Sequence, residues 1–506
     1  MRRLIQTAVL WHPSGSFRQS AALTVVIVVA SIALWRSAFT VDGAMLSDGH
    51  AILSLDMAIA GAYCGKPSSF SRTVRIPADL GAHMDRRHEP LRVLVTEQTS
   101  SIEAYCQTID TPFVNSENAL MVVETAILRA WPDISLAQLG QVLFLLKVAG
   151  LVAFVLLLMD LGSSVALGAA TLLCGLMMLQ SMPDHVYSNY PFFFVMVLSA
   201  ASLHGFASKY SWTSHPAGLM AFGLTTGVFA SFIVNMRTSY LPVVALFFAA
   251  SLIDELRRRG RSLDWRARGI RSVALVLCFV GGYAIFQQGM ITSQLPAEGR
   301  FNAAHPFGHP LVLALAVPEN PLSRELGIEW SDAAGPRLAE QVDPGVPFLG
   351  PRYNAALLKY YSTLWRTRTS DMVAVYYLKF SVAGADMLRV LRHSPGVAGW
   401  GVMVLLTPLG LVPSGVWLLV LYATITIGAF ATYYRRNEPA AFVLALLALA
   451  ACLVQAESGI IFSIFVKQYH NYAAFFALFL SLLVVQVLAN LVVAALPARQ
   501  TGASGQ

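Results

Sequence analysis

The sequence predicts an all-α polytopic membrane protein: about ten transmembrane helices and two large polar loops on the same side of the bilayer. Three observations predict it. Of 506 residues, 56% are hydrophobic and only 12% charged, about half the charge of an ordinary soluble domain. The apolar residues gather in blocks of roughly 17 to 24, the length that crosses a bilayer core as helix. The acids lie elsewhere: residues 40–135 hold 12 of the 28 Asp and Glu, and residues 292–396 hold 9 more. This pattern excludes a soluble enzyme and a disordered chain.

In chain order, residues 1–39 form a cytoplasmic start and the first span, and 40–135 the first outer loop. Residues 136–291 form a bundle of short-looped spans, 292–396 the second outer loop, 397–496 the last spans, and 497–506 a flexible tail. Spans are expected at 20–38, 136–159, 163–182, 190–207, 216–235, 239–254, 272–291, 413–433, 439–456 and 472–495. The stretch 396–412 is Pro-containing and barely long enough to cross. It is read as interfacial; if it crosses, the total becomes eleven. The first apolar run is read as an anchor rather than a signal peptide, because it is long for an h-region and no Ala-x-Ala site follows.

Orientation follows Lys and Arg in short loops. Arg257, Arg258, Arg259, Arg261, Arg266 and Arg268 share one such loop, which is therefore cytoplasmic. Arg2, Arg3, Arg18, Arg435, Arg436 and Arg499 fit that side, so both polar blocks are expected outside. Cys174, Cys278 and Cys452 fall in spans and read as small apolar residues. Cys64 and Cys106 share the first outer block, where they either pair or remain two free thiols.

The first block opens Val41-Asp42-Gly43, then Ser47-Asp48-Gly49-His50, then Asp56. Asp48 lies about ten residues past the membrane edge, at headgroup height, where a carboxylate can take a proton from a hydroxyl as general base. Asp48 and Asp56 are eight apart and share a face if helical. Farther on, 118–131 reads as an amphipathic helix flat on the membrane, with Glu117 and Glu124 either facing a site or, as is commoner, on its solvated side.

The second block opens Arg300-Phe-Asn-Ala-Ala-His305-Pro-Phe-Gly-His309-Pro and continues to Glu329-Trp330-Ser-Asp332. Two histidines four apart suit helical zinc sites, but Pro306, Gly308 and Pro310 argue against helix, so no metal is assigned. His and Arg beside a bilayer suit a lipid-linked phosphate, whose charge they hold as it leaves. The segments around Tyr353–Tyr361 and Asp371–His393 read as interfacial helices, with Lys379 and the tyrosines at headgroup height.

Charges inside or at the rims of spans cost free energy and are informative. Lys147 lies within the second span. Arg237 follows the fifth on the outer side, Asp184 lies in a short outer turn, and Lys467, Tyr469 and His470 precede the final span.

This layout resembles the GT-C superfamily of integral-membrane glycosyltransferases, which includes protein O-mannosyltransferases and the aminoarabinose transferase of lipid A. Ser47-Asp48-Gly49-His50 is similar to the acidic motif after their first span, and Asn235-Met-Arg-Thr-Ser-Tyr-Leu-Pro242 to their Arg-containing lipid-phosphate segment. The resemblance implies inverting transfer of a sugar from a polyprenyl-phosphate donor to an outer acceptor, at a bacterial inner membrane. The base is then Asp48, Asp42 or Asp56. Arg237, His305, His309, Lys147 and Lys467 serve the donor phosphate, and Asp184, Glu329, Asp332, Tyr469 and His470 line the cavity. No cofactor is expected, with a divalent metal left open, and no nucleic acid. The absence of a Walker A or Gly-rich dinucleotide turn fits a lipid-linked donor. The rival readings are a lipid or sugar transporter or flippase, and a non-catalytic assembly protein.

Overall fold

A computed structural model of the chain describes residues 49–67, 69–76, 80, 84–112, 119–160, 171–172, 215–236, 240–258, 265–291, 307–348, 351–392, 415–436 and 439–456. Among them the architecture is helical, with one two-stranded ribbon.

The first block is built on helix α1 (Gly49–Cys64). It ends where Gly65 takes φ +65°, a backbone only glycine adopts cheaply, and the Lys66 N–H returns to the Ala60 carbonyl. Strand β1 (Ser69–Ser71), helices α2 (Leu91–Thr99) and α3 (Ile102–Thr108) and strand β2 (Ile109–Pro112) follow. The strands pair antiparallel, Phe70 opposite Thr111. Ser101 caps α3 by accepting from the Ala104 N–H. Cys64 and Cys106 form a disulfide that ties the end of α1 to α3. They lie 42 positions apart, and closing such a loop limits the unfolded chain by about 4 kcal/mol.

Helix α4 (Ala119–Ala130) is the amphipathic segment expected at 118–131. It lies against α1, with Ala119, Leu120, Met121, Val122, Thr125 and Leu128 buried. Glu124, for which the solvated side is the commoner of two readings, is 1% exposed. Its neighbour across the interface is Ser54 of α1, which supplies a hydrogen bond that periodicity does not reveal. Glu117 lies outside the described residues.

Helix α5 (Leu136–Asp160) begins at a capping box: the Gln138 N–H bonds the Ser135 hydroxyl and the Ser135 N–H bonds the Gln138 amide oxygen. Next come α6 (Pro216–Met236), α7 (Leu241–Arg258) and α8 (Trp265–Phe286), which runs on as a π turn over Gln287–Ile291. Three described stretches are long and apolar enough to cross a membrane: Leu136–Val155, Pro216–Met236 and Gly269–Gly289. The spans expected at 136–159, 216–235, 239–254, 272–291, 413–433 and 439–456 each coincide with a helix. Those at 20–38, 163–182, 190–207 and 472–495, and the stretch 396–412, lie outside the described residues, save 171–172.

Helices α6 and α8 cross at backbone contact. A Cβ on Gly227 would stand 2.1 Å from the Phe279 carbonyl oxygen, and one on Gly282 2.1 Å from that of Leu224. Small residues allow this approach in a membrane, where packing rather than water drives association. The C-terminal end of α6 joins the first block: Phe232 and Met236 belong to the same core as Leu55, Ile59, Met121 and Leu128.

The second block packs α9 (Gly308–Leu313), α10 (Pro321–Leu326) and α11 (Ala334–Glu340) around the long α12 (Pro351–Thr367) and α13 (Thr369–Arg392). Pro306, Gly308 and Pro310 argued against helix at 308–313, yet α9 forms. Pro310 falls in its first turn, where the N–H it lacks has no helical acceptor. Asn320 and Ser323 cap α10 reciprocally. Arg368 joins α12 and α13, bonding Glu325 with two nitrogens and Asp371 with a third.

Lys379, expected at headgroup height, is instead fully buried. Its ammonium donates to the Ala314 carbonyl at 2.9 Å, and burial lowers its pKa to about 7. Finally α14 (Gly415–Arg436) and α15 (Pro439–Ala456) pair, α14 against α13 and α15 against α7.

Candidate functional site

Of the residues singled out from sequence, the structure brings two together. His309, at the start of α9, is buried. Its Nε2 lies 3.2 Å from Oδ1 of Asp332, in the turn before α11, and its Nδ1 2.7 Å from the Tyr353 hydroxyl on α12. Local structure sets this up. The Gly308 N–H bonds the Asn354 side chain at 2.9 Å, fixing α9 on α12. Gly335 opens the space: a Cβ there would meet the Tyr353 hydroxyl at 2.1 Å and the His309 ring at 2.7 Å.

Burial, and secondarily the Asp332 charge, raise the Tyr353 phenol well above its ordinary value, so Tyr353 keeps its proton and its hydroxyl pairs with Nδ1. A carboxylate only accepts, so Nε2 carries a proton and donates it to Asp332. The result is a Tyr353–His309–Asp332 chain of hydrogen bonds. Its inner members are buried and its last, Asp332, has a side chain 76% exposed.

The other described candidates lie apart from this chain. Glu329 is exposed and faces Arg337 at 3.3 Å. Asp56 is 2% exposed and takes the Arg75 Nε at 2.9 Å, inside the first block. Lys147 lies on α5, its side chain outside the described residues. Asp42, Asp48, Asp184, Arg237, His305, Lys467, Tyr469 and His470 also lie outside them. Among the described residues, no three His, Cys, Asp or Glu side chains gather as a metal site.

Two further polar groupings escaped the sequence reading. Glu124 accepts from the Ser54 hydroxyl at 2.8 Å, and burial raises its carboxyl to about 8, the Ser54 bond opposing that shift. At the C-terminal end of α6, Asn235 donates to the Gln287 side chain, where α8 loosens into its π turn, and to the Ser231 carbonyl. Such turns recur at functional sites. In sequence, Arg237 follows this cluster by two residues. The missed signal was the Ser231-x-x-x-Asn235 spacing, which places two polar groups on one helix face. Comparison with protein-family models, with curated proteins and with solved structures finds no match.

Proposed function

We propose that the chain is a glycosyltransferase of about ten spans in a bacterial inner membrane, N-terminus inside. It takes a sugar from a polyprenyl-phosphate donor to an acceptor on the outer face. One observation supports this most. Helix α1 begins one residue after Asp48, helix α6 ends one residue before Arg237, and the two feed a single core. A rim carboxylate and a rim cation then serve one membrane face. The Cys64–Cys106 disulfide fits an outer, oxidising compartment for that face.

In this reading Asp48 removes the proton of the acceptor hydroxyl. The oxygen attacks the anomeric carbon from the side opposite the phosphate, the bond to the phosphate oxygen breaks, and polyprenyl phosphate leaves with inversion. Arg237 and His305 hold the departing charge. His309 is committed to Tyr353 and Asp332, and Asp56 to Arg75. The phosphate and the base are therefore better served by the residues named.

The test is a transfer assay in liposomes with a panel of radiolabelled polyprenyl-phosphate sugars, beside a donor-binding measurement. Asp48→Asn is expected to lose about 100- to 10,000-fold in turnover with donor binding intact. Arg237→Ala is expected to weaken donor binding itself. Full turnover in variants at 42, 48 and 56 alike overturns the reading in favour of a flippase or an assembly protein.

A further inference from the structure

The Asp332–His309 pair is oriented opposite to a dyad that abstracts protons. There, a buried carboxylate aims an exposed imidazole. Here the imidazole side chain is 5% exposed and the carboxylate 76%. The group shown to solvent is an acid with one oxygen held by an N–H and the other free to accept.

Its surroundings are equally particular. Nearby acids are matched by guanidinium groups: Glu319 by Arg324, Glu325 by Arg368, Glu329 by Arg337 and Asp343 by Arg352. Asp332 has an imidazole instead. Phe348, 46% exposed, meets the His309 and Tyr353 rings edge to face, with centroids at 6.0 and 5.4 Å. Trp330, two residues before Asp332, is 44% exposed, and Phe307, two before His309, is 56% exposed. Of these rings, Phe348 is the one whose contacts set it beside the fixed polar group, as an apolar wall next to a polar anchor.

We infer that Asp332, oriented by His309 and Tyr353, forms with Phe348 a binding site for a sugar ring of an acceptor glycan. A carboxylate accepts charge-assisted bonds from ring hydroxyls, and an aromatic face takes the ring's C–H edge. A lipid acyl chain has no use for the carboxylate. Phe348 and Tyr353 both flank His309, and an ammonium group uses such ring faces with a carboxylate, so choline and ethanolamine are the competitors in the test. The acceptor assignment rests on the glycosyl-transfer reading; sugar binding itself does not.

The test uses the full chain in lipid nanodiscs on an array of mono- and oligosaccharides. The unmodified protein is expected to be retained by at least one glycan class. Asp332→Asn and Phe348→Ala each weaken retention about ten- to a hundred-fold, the loss of one strong contact. Glu319→Gln, whose partner is Arg324, leaves it unchanged. No retained glycan, undiminished binding by Asp332→Asn, or displacement by choline or ethanolamine overturns the site. Retention by a protein that transfers no sugar overturns the transfer reading and leaves the site standing.

Discussion

Replacing Arg75 by Ala is expected to destabilise the first block far more than replacing Asp56 by Asn, although the two form one ion pair. The asymmetry comes from their surroundings: the Asp56 side chain is 3% exposed and that of Arg75 38%. Asp56 sits on α1 between Leu55 and Met57, themselves buried, and its charge helps raise the buried Tyr105 phenol, after burial itself. Arg75→Ala takes the guanidinium away from that interior carboxylate, and removing one partner of a buried pair costs about 3–5 kcal/mol. The variant also loses the stacking of Arg75 over Phe70, 5.4 Å from the ring centroid. Asp56→Asn removes the buried charge instead. The amide oxygen still accepts, and Arg75 can turn to water, so the cost is nearer one hydrogen bond, about 1–2 kcal/mol. The double variant is then more stable than Arg75→Ala alone, a coupling opposite in sign to additive damage. The assay is thermal unfolding in nanodiscs, read by proteolysis within the first block, for all four members of the cycle. Arg75→Ala as stable as Asp56→Asn, or a double variant less stable than Arg75→Ala, refutes the reasoning.

Glu124 predicts a pH dependence. Its folded value of about 8 lies above the ordinary 4.5, so the folded chain holds the proton more tightly. The stability it confers is full below about pH 4.5, falls by about 1.4 kcal/mol per unit above that, and is gone past about 8. Glu124→Gln should flatten the unfolding profile across that window; an unchanged profile removes the assignment. In the bundle, Gly227→Ala is expected to cost about 1–3 kcal/mol by forcing α6 from α8. Gly269→Ala, where a Cβ meets nothing, should be neutral or slightly stabilising. Equal melting of the two variants contradicts the close crossing.

By itself, the sequence determined where the long apolar helices run. Apolar length and helix ends are local properties: the runs at 216–235 and 439–456, the Ser135-x-x-Gln138 box, and Gly65 after α1 are readable one segment at a time. It also marked 118–131, 353–361 and 371–393 as helices with an apolar face, and Cys64 and Cys106 as candidates for pairing. Tertiary structure decided which polar residues those faces enclose. Glu124 meets Ser54 across 70 residues, His309 meets Tyr353 across 44, and Lys379 meets Ala314 across 65. Hydrophobic periodicity marks a face by its apolar members and treats every charge as solvated. A buried charge becomes tolerable only when a distant segment supplies a partner or burial shifts its proton, and both depend on packing. Pro310 shows the same division at the backbone: its ring opposes helix in a window of residues, but its place in the first turn of α9 is set by where α9 docks on α12.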